Sequence, residues 1–168
     1  MIFALQELLT ANADPDGSRD PRQPTPLYAA SQNGHTSIVR MLLNHKAAVN
    51  SRARDTGVSA LGIAARQGHV EVVKLLCEGR FAFFCSSHPS HSLRTASALI
   101  DAESAKGSTP LYLASQAGHT ACVELLLQHG AAVNKCNTED GASPIFAASY
   151  KGHAAVVQIL LEVGDLTP

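Results

Sequence analysis

Histidine and cysteine are residue types that can ligate a metal ion or act in catalysis. The 168 residues include eight histidines and four cysteines. One segment, Cys85-x-x-His88-x-x-His91, brings three of them close together along the chain. Thiolate and imidazole are zinc ligands, and a tetrahedral site needs four. Because the spacing matches no standard zinc finger, we expect neither a metal ion nor another cofactor.

Most of the other histidines favour a structural role. Four of them directly follow a glycine, in the pairs Gly34-His35, Gly68-His69, Gly118-His119 and Gly152-His153. Glycine ends a helix readily because it adopts left-handed backbone angles, and the imidazole beside it can hydrogen-bond to neighbouring backbone. The chain also has no glycine-rich phosphate loop, repeated carboxylate pair or Ser-His-Asp set in a pocket. We therefore predict that this chain is not an enzyme.

Composition narrows the class of protein. Hydrophobic residues make up 45% of the chain and charged residues 16%, which favours an ordered core. The net charge of -1 gives no broad attraction to nucleic acid or to anionic membranes, so neither is an expected partner. The start of the chain lacks the basic segment of a signal peptide, and the cysteines share no spacing. We expect an intracellular, cytoplasmic protein with free thiols.

The elements that position these residues come from an internal repeat. Four similar phrases contain the Gly-His pairs: TPLYAASQNGHT from Thr25, SALGIAARQGHV from Ser59, TPLYLASQAGHT from Thr109 and SPIFAASYKGHA from Ser143. The pairs are spaced by 34, 50 and 34 residues. A period near 33 residues is typical of stacked helical repeats, and the middle interval contains 16 additional residues.

One repeat predicts two short helices. Thr25 is suited to cap the first helix and Pro26 to occupy its first turn, while Gly34 is suited to end it. Apolar residues then recur with helical spacing, which predicts a second helix from about Ser37 to His45. The residue after this helix should adopt left-handed angles; it is Lys46 in one repeat and glycine in two others, at 130 and 164.

This pattern resembles the ankyrin repeat, with its TPLH-type helix start, its Gly-His between two helices and its exit into a β-turn finger. The resemblance implies an all-α solenoid of stacked helix-turn-helix units with projecting β-turn fingers. The hallmark histidine of the TPLH start is replaced here by Tyr28, Gly62, Tyr112 and Phe146. We expect a single array made of a partial repeat at 1–16, repeats at 17–50 and 51–80, an insertion loop at 81–98, and repeats at 99–134 and 135–168.

The same resemblance implies binding of a protein partner on the concave face, as in a scaffold or adaptor. Exposed residues that differ between repeats precede each Gly-His pair or lie in the fingers, and mixed charges there favour a protein partner over a polyanion. The candidate partner-binding residues are Gln32, Asn33, Arg52, Arg54, Asp55, Arg66, Gln67, Gln116, Tyr150 and Lys151.

Two alternatives stay open at this point. The chain could be a structural spacer in a longer ankyrin array with no partner of its own. Its ends carry no polar capping repeat, so further ankyrin repeats or self-association are additional candidate partners.

Overall fold

The computed structural model describes residues 14–17, 24–78 and 98–164. These residues form helical hairpins, each with a short first helix and a second helix. The helices are α1 (Pro26–Gln32), α2 (Thr36–Asn44), α3 (Ala60–Gln67), α4 (Val70–Glu78), α5 (Pro110–Ala117), α6 (Thr120–Gln128), α7 (Pro144–Lys151) and α8 (Ala154–Gly164). First helices pack against first helices of neighbouring hairpins, and second helices against second helices. The predicted all-α solenoid of stacked hairpins is therefore confirmed.

Each first helix begins at the hydroxyl residue that the sequence predicts. The side-chain oxygen of Thr25 accepts a hydrogen bond from the backbone N–H of Tyr28 at 3.3 Å, and Pro26 occupies the first turn. Ser59, Thr109 and Ser143 cap the other first helices in the same way. The caps bond to backbone N–H groups, so they form without the family's hallmark histidine.

Glycine ends these first helices, as expected. Gly34, Gly68, Gly118 and Gly152 all have φ between 68° and 79°. The second helix of the first hairpin was predicted from about Ser37 to His45 and runs from Thr36 to Asn44. Lys46 follows it with φ 66°, which confirms the left-handed exit. Gly164 departs from this prediction, because it is the last residue of α8 and its φ is not positive.

Leucines at matching positions of the hairpins form the main core. The fully buried leucines are Leu27, Leu42, Leu61, Leu76, Leu111 and Leu126. Cys77 and Cys122 are buried among them, as expected for small apolar residues. Burial raises the pKa of Cys77 to about 12 and that of Cys122 to about 11, so both are neutral thiols in the folded chain.

A second, smaller core lies where the fingers join the first helices. It consists of Tyr28, Ala53, Val58, Ile63, Tyr112, Leu113, Ala142 and Ala147. Two of the residues that replace the hallmark histidine, Tyr28 and Tyr112, are therefore packing residues of this core. Phe146 has the same position in the last hairpin, but 59% of its surface is exposed.

Several predictions fall on residues outside the described ranges. They concern residues 1–13 of the partial repeat, residues 81–97 of the insertion, and the Cys85, His88 and His91 segment. The boundaries of the repeat units stay predictions.

Candidate protein-binding surface

A groove of about 420 Å³ lies between three successive fingers and the first helices α3 and α5. We call it the finger–helix groove. Its finger side is formed by Asp55, Thr56, Val58, Ser104, Ala105, Lys106, Ser108, Asn137, Glu139 and Asp140, and its helix side by Arg66, Tyr112, Leu113 and Gln116. The groove therefore combines an apolar floor with a rim of charged and amide side chains.

Backbone hydrogen bonds between neighbouring fingers fix the shape of this groove. The N–H of Ala105 donates to the carbonyl of Thr56 at 2.9 Å, and the N–H of Thr138 donates to the carbonyl of Lys106 at 3.0 Å. These bonds link three successive fingers. Because the bonds join backbone to backbone, they set the backbone positions of the groove residues on one finger relative to those on the next.

Glycine permits this close approach of the fingers. A β-carbon at Gly57 would lie 2.5 Å from the backbone nitrogen of Ala105, and one at Gly107 would lie 2.5 Å from that of Thr138. Both glycines also have positive φ, 66° and 74°. A larger residue at either position would push neighbouring fingers apart.

Side chains add polar links between the same fingers. Lys135 and Glu103 form an ion pair at 2.8 Å, and so do Lys106 and Glu139. The hydrogen bond from Lys135 holds the pKa of the Glu103 carboxyl below its usual range. Both pairs are solvent-exposed, so we regard them as orienting the fingers rather than as a main source of stability.

Tyr112 and Leu113 form the floor of the groove and are buried. Burial raises the pKa of the Tyr112 phenol, and the nearby Asp140 carboxylate raises it further. Burial raises the pKa of the Tyr28 phenol, the Asp55 carboxylate raises it further, and Arg66 lowers it. Asp55 and Arg66 also both line the groove, so opposite charges stand beside its apolar floor.

The structure places three of the predicted binding residues in the groove: Asp55, Arg66 and Gln116. Gln32 and Tyr150 have the same repeat position as Arg66 and Gln116 but belong to the first and last hairpins, outside the groove lining. Gln67, Asn33 and Lys151 lie at the ends of their first helices, and all three are exposed. Arg54 is also exposed, on a finger.

Several of the predicted residues make contacts within the chain. The guanidinium of Arg52 donates to the backbone carbonyl of Glu103 at 2.7 Å, which joins two fingers. The side-chain amide of Asn33 donates to the carbonyl of Ala29 at 2.8 Å, which completes the end of α1. Tyr150 stacks on Phe146 with 6.4 Å between ring centres, and the Lys151 ammonium lies 5.6 Å from the Tyr150 ring.

The groove floor was missing from the sequence prediction. Leu113 and Ile63 are large apolar residues at a repeat position that is alanine in the first and last hairpins, at Ala29 and Ala147. That difference is the sequence signal that could have indicated a floor there. Tyr112 departs from the family pattern, and the sequence alone does not assign it to a surface. Its ring is part of the small core, yet it also faces the groove.

The Gly-His imidazoles connect neighbouring hairpins, as the predicted structural role requires. His69 Nε2 lies 3.0 Å from the carbonyl oxygen of Gln32, and His153 Nε2 lies 3.2 Å from that of Gln116. Each imidazole thus bonds the preceding first helix. Within the described ranges, no group of three or more His, Cys, Asp or Glu side chains could hold a metal ion.

Comparison with known proteins identifies the fold family. A model of ankyrin repeats matches residues 2–86 and 82–167. The chain belongs to the ankyrin-repeat family. Ankyrin repeats are protein-interaction modules, and the repeats themselves are generally non-enzymatic.

The similar relatives are longer ankyrin-repeat proteins. A probable E3 ubiquitin-protein ligase of Oryza sativa subsp. japonica, XBOS32, is 33% identical over 73% of this chain and 27% of its own length. The E3 ubiquitin-protein ligase XBAT33 of Arabidopsis thaliana is 34% identical over 68% of this chain and 19% of its own. The Caenorhabditis elegans ankyrin repeat and KH domain-containing protein mask-1 is 31% identical over 64% of this chain and 5% of its own. The matched segment is therefore a minor part of each relative.

In the part of the chain that the structure describes, no helix is both long and apolar enough to cross a bilayer.

Proposed function

We propose that this ankyrin array binds a protein partner in the finger–helix groove and carries out no chemistry of its own. The main support is that three predicted binding residues, Asp55, Arg66 and Gln116, line one groove. The floor of that groove is formed by Tyr112 and Leu113. Arginine and tyrosine beside a desolvated apolar surface are typical of residues that dominate binding energy at protein interfaces.

The charge pattern supports a protein as the ligand. Arg66 and Lys106 stand in the groove with Asp55, Glu139 and Asp140. A polyanion would be repelled by these carboxylates, whereas a protein segment with both donors and acceptors could satisfy the rim. The hydrogen-bonded fingers reduce the ordering that binding would otherwise require, which favours affinity.

The relatives' names are consistent with a binding role. Two are named as E3 ubiquitin-protein ligases, and one is named for a KH domain. The relatives share similar repeats but are named for different activities or domains. We therefore infer that the repeats supply recognition and that the activities reside elsewhere in those longer proteins. For this chain we adopt only the recognition role.

The test compares two arginines of the array. Partners are first captured with the full chain and identified by mass spectrometry, and the affinity of a purified partner is then measured for Arg66→Ala and Arg40→Ala. Arg40 is exposed on the second helix α2, away from the groove. We expect Arg66→Ala to weaken binding about tenfold, the effect of losing an interface residue worth about 1.4 kcal/mol. Arg40→Ala should leave affinity unchanged.

A different pattern would contradict the groove proposal. If Arg66→Ala and a second groove variant, Gln116→Ala, both bind as the parent chain does, the partner does not use this groove. Tyr150→Ala should be measured separately, because Tyr150 lies outside the groove lining. If only Tyr150→Ala abolished binding, the partner would bind to the last hairpin.

A further inference from the structure

One position of the first helices differs between hairpins in a way that shapes the finger–helix groove. Tyr28, Tyr112 and Phe146 place an aromatic ring at this position, whereas the second hairpin has Gly62. Gly62 is buried inside α3, and its φ is not positive. Glycine is a poorer helix former than alanine, and no turn requires it here. Its contribution to the structure is therefore space.

Two residues that line the groove lie over Gly62. A β-carbon at this position would lie 3.1 Å from Cγ1 of Val58 and 3.4 Å from Cδ1 of Leu113. Val58 and Leu113 are both buried, and both line the groove. The apolar side of the groove thus rests on Gly62. A large side chain at this position would push Val58 and Leu113 towards the groove.

The tyrosines at the same position show where a ring on residue 62 would reach. The Tyr28 phenol interacts with the Thr56 side chain, and the Tyr112 phenol with the Asp140 carboxylate. Thr56 and Asp140 each directly precede the positive-φ glycine of their finger. Their counterpart in the middle finger is Lys106, which lines the groove. A ring on residue 62 would by this geometry lie in the groove, so the glycine keeps the groove open.

The charges of the groove indicate what kind of side chain complements this apolar space. Three carboxylates line the groove, those of Asp55, Glu139 and Asp140, against the two cations of Arg66 and Lys106. The excess is one negative charge. Lys106 is also ion-paired with Glu139 at 2.8 Å. The groove therefore favours a basic side chain over an acidic one.

Asp140 is the carboxylate that stands beside the apolar floor. Burial raises the pKa of the Tyr112 phenol, and the neighbouring Asp140 raises it further. The Asp140 carboxylate accepts a hydrogen bond from the N–H of Ala142 at 3.1 Å, which orients it. The Lys106 ammonium, which Asp140 also attracts, is bonded to Glu139 instead. Within the described ranges, the charge of Asp140 thus has no ion-pair partner.

We propose that the finger–helix groove binds a protein segment in which a large apolar side chain adjoins an arginine or lysine. The apolar side chain lies on Tyr112 and Leu113, in the space that Gly62 leaves, and the basic side chain pairs with Asp140. This inference rests on the proposed function, because it names the kind of segment that the groove recognises. Gly62 is then the residue that sets the specificity of the groove for a large side chain.

The test begins with a random-peptide library displayed on phage, selected against the full chain. We expect the enriched peptides to carry arginine or lysine next to a large aliphatic or aromatic residue. One such peptide is synthesised with a fluorescein label. Its affinity for the parent chain and for each variant is then measured by fluorescence anisotropy.

Variants at Gly62 test the space in the groove. Gly62→Tyr should weaken binding of the peptide by about tenfold or more, because the ring that Tyr28 and Tyr112 carry would then fill the groove. Gly62→Ala is the control, since its methyl group requires only a small movement of Val58 and should change affinity by less than about twofold. Circular dichroism establishes that the variants are folded. If Gly62→Tyr does not fold, Gly62→Met replaces it, because the flexible methionine side chain fills the same space with less strain.

Asp140→Asn tests the charge. Asparagine retains an acceptor oxygen for the N–H of Ala142 but has no charge, so affinity should fall about two- to fivefold, as for an exposed ion pair. Replacing the basic residue of the peptide by glutamine should remove this difference between parent and variant. Asp101→Asn is the control, because Asp101 also accepts a backbone hydrogen bond, from Ala132, but lies outside the groove lining. It should leave affinity unchanged.

Two results would overturn this inference and leave the proposed function intact. The first is a set of selected peptides that lose affinity for Gln116→Ala but carry no basic residue. The second is a peptide that loses affinity for Gln116→Ala and binds folded Gly62→Tyr as tightly as the parent. Peptides that bind Gln116→Ala, Gly62→Tyr and Asp140→Asn as they bind the parent would contradict the groove itself. A selection that yields no binding peptide would also overturn the inference, because a short segment is its stated ligand.

Discussion

The imidazole of His69 lies directly against Gly34, with its Nε2 3.0 Å from the carbonyl oxygen of Gln32. The relationship joins two consecutive hairpins. It also requires a residue with no β-carbon at position 34. The Gly-His pairs therefore act between repeats: the glycine of one hairpin makes room for the histidine of the next.

Gly34→Ala should destabilise the chain by about 1–3 kcal/mol more than Gly130→Ala does. Both substitutions place alanine at a positive φ, which costs about 1 kcal/mol. At Gly34 the new methyl group would also collide with the His69 ring, and such overpacking typically costs about 1–3 kcal/mol. Urea denaturation measures the two free energies of unfolding. Equal losses would show that the ring moves away without cost.

The helix boundaries could be predicted from sequence because each depends on a local rule. Thr25 caps, Pro26 starts and Gly34 ends a helix in ways that require only neighbouring residues. The grouping of Asp55, Arg66 and Gln116 could not be predicted in the same way. It depends on how far the fingers project and on hydrogen bonds between residues about 50 positions apart, such as that of Arg52 with Glu103. The same bond holds the exposed Arg52 side chain against the neighbouring finger.

Lys46→Gly should raise the free energy of unfolding by about 1 kcal/mol relative to Lys46→Ala. Lys46 has φ 66°, where glycine is favoured over residues with a β-carbon. Both variants remove the lysine side chain and its interactions, so their difference reports the backbone alone. Thermal and urea denaturation should agree on the order. If the alanine variant were equally stable, the exit would adopt another conformation in solution.

Ser115→Ala should leave stability unchanged or raise it by up to about 1 kcal/mol. The Ser115 hydroxyl is fully buried and has no hydrogen-bond partner among the described residues. Removing an unsatisfied buried hydroxyl relieves a desolvation penalty, and Ala65 already occupies this repeat position in the second hairpin.

Ser59→Ala is the matched control, because Ser59 is also buried but accepts a hydrogen bond from the N–H of Gly62 at 3.1 Å. Loss of this cap should cost about 1 kcal/mol. A clear destabilisation by Ser115→Ala in the same urea titration would reveal a bond that the hydroxyl forms in solution.

The buried cysteines should be protected from alkylation in the folded chain, whereas Cys136 should react. Cys77 and Cys122 are buried neutral thiols with raised pKa values, and Cys136 is exposed. Peptide-resolved iodoacetamide labelling at pH 8 should modify Cys136 first and the other two only in denaturant. For Cys77, the folded state binds its proton more tightly than the unfolded state. Its contribution to stability is therefore complete below pH 9 and is lost as pH rises towards 12. Labelling of Cys77 at the rate of Cys136 would mean that the second hairpin opens locally.

Gly107→Ala should disturb the finger–helix groove, whereas Gly141→Ala should not. Both glycines lie in fingers with similar φ, 74° and 69°, so the backbone cost of alanine is shared. A methyl group at Gly107 would lie 2.5 Å from the Thr138 nitrogen, whereas one at Gly141 would meet nothing within 4 Å. Gly107→Ala should therefore break the hydrogen bond from Thr138 to Lys106 and accelerate hydrogen exchange at the Thr138 amide.

Gly107→Ala should also weaken partner binding more than Gly141→Ala, because the finger residues Lys106 and Asn137 both line the groove. Faster exchange with unchanged affinity would show that the partner does not depend on the spacing of these fingers.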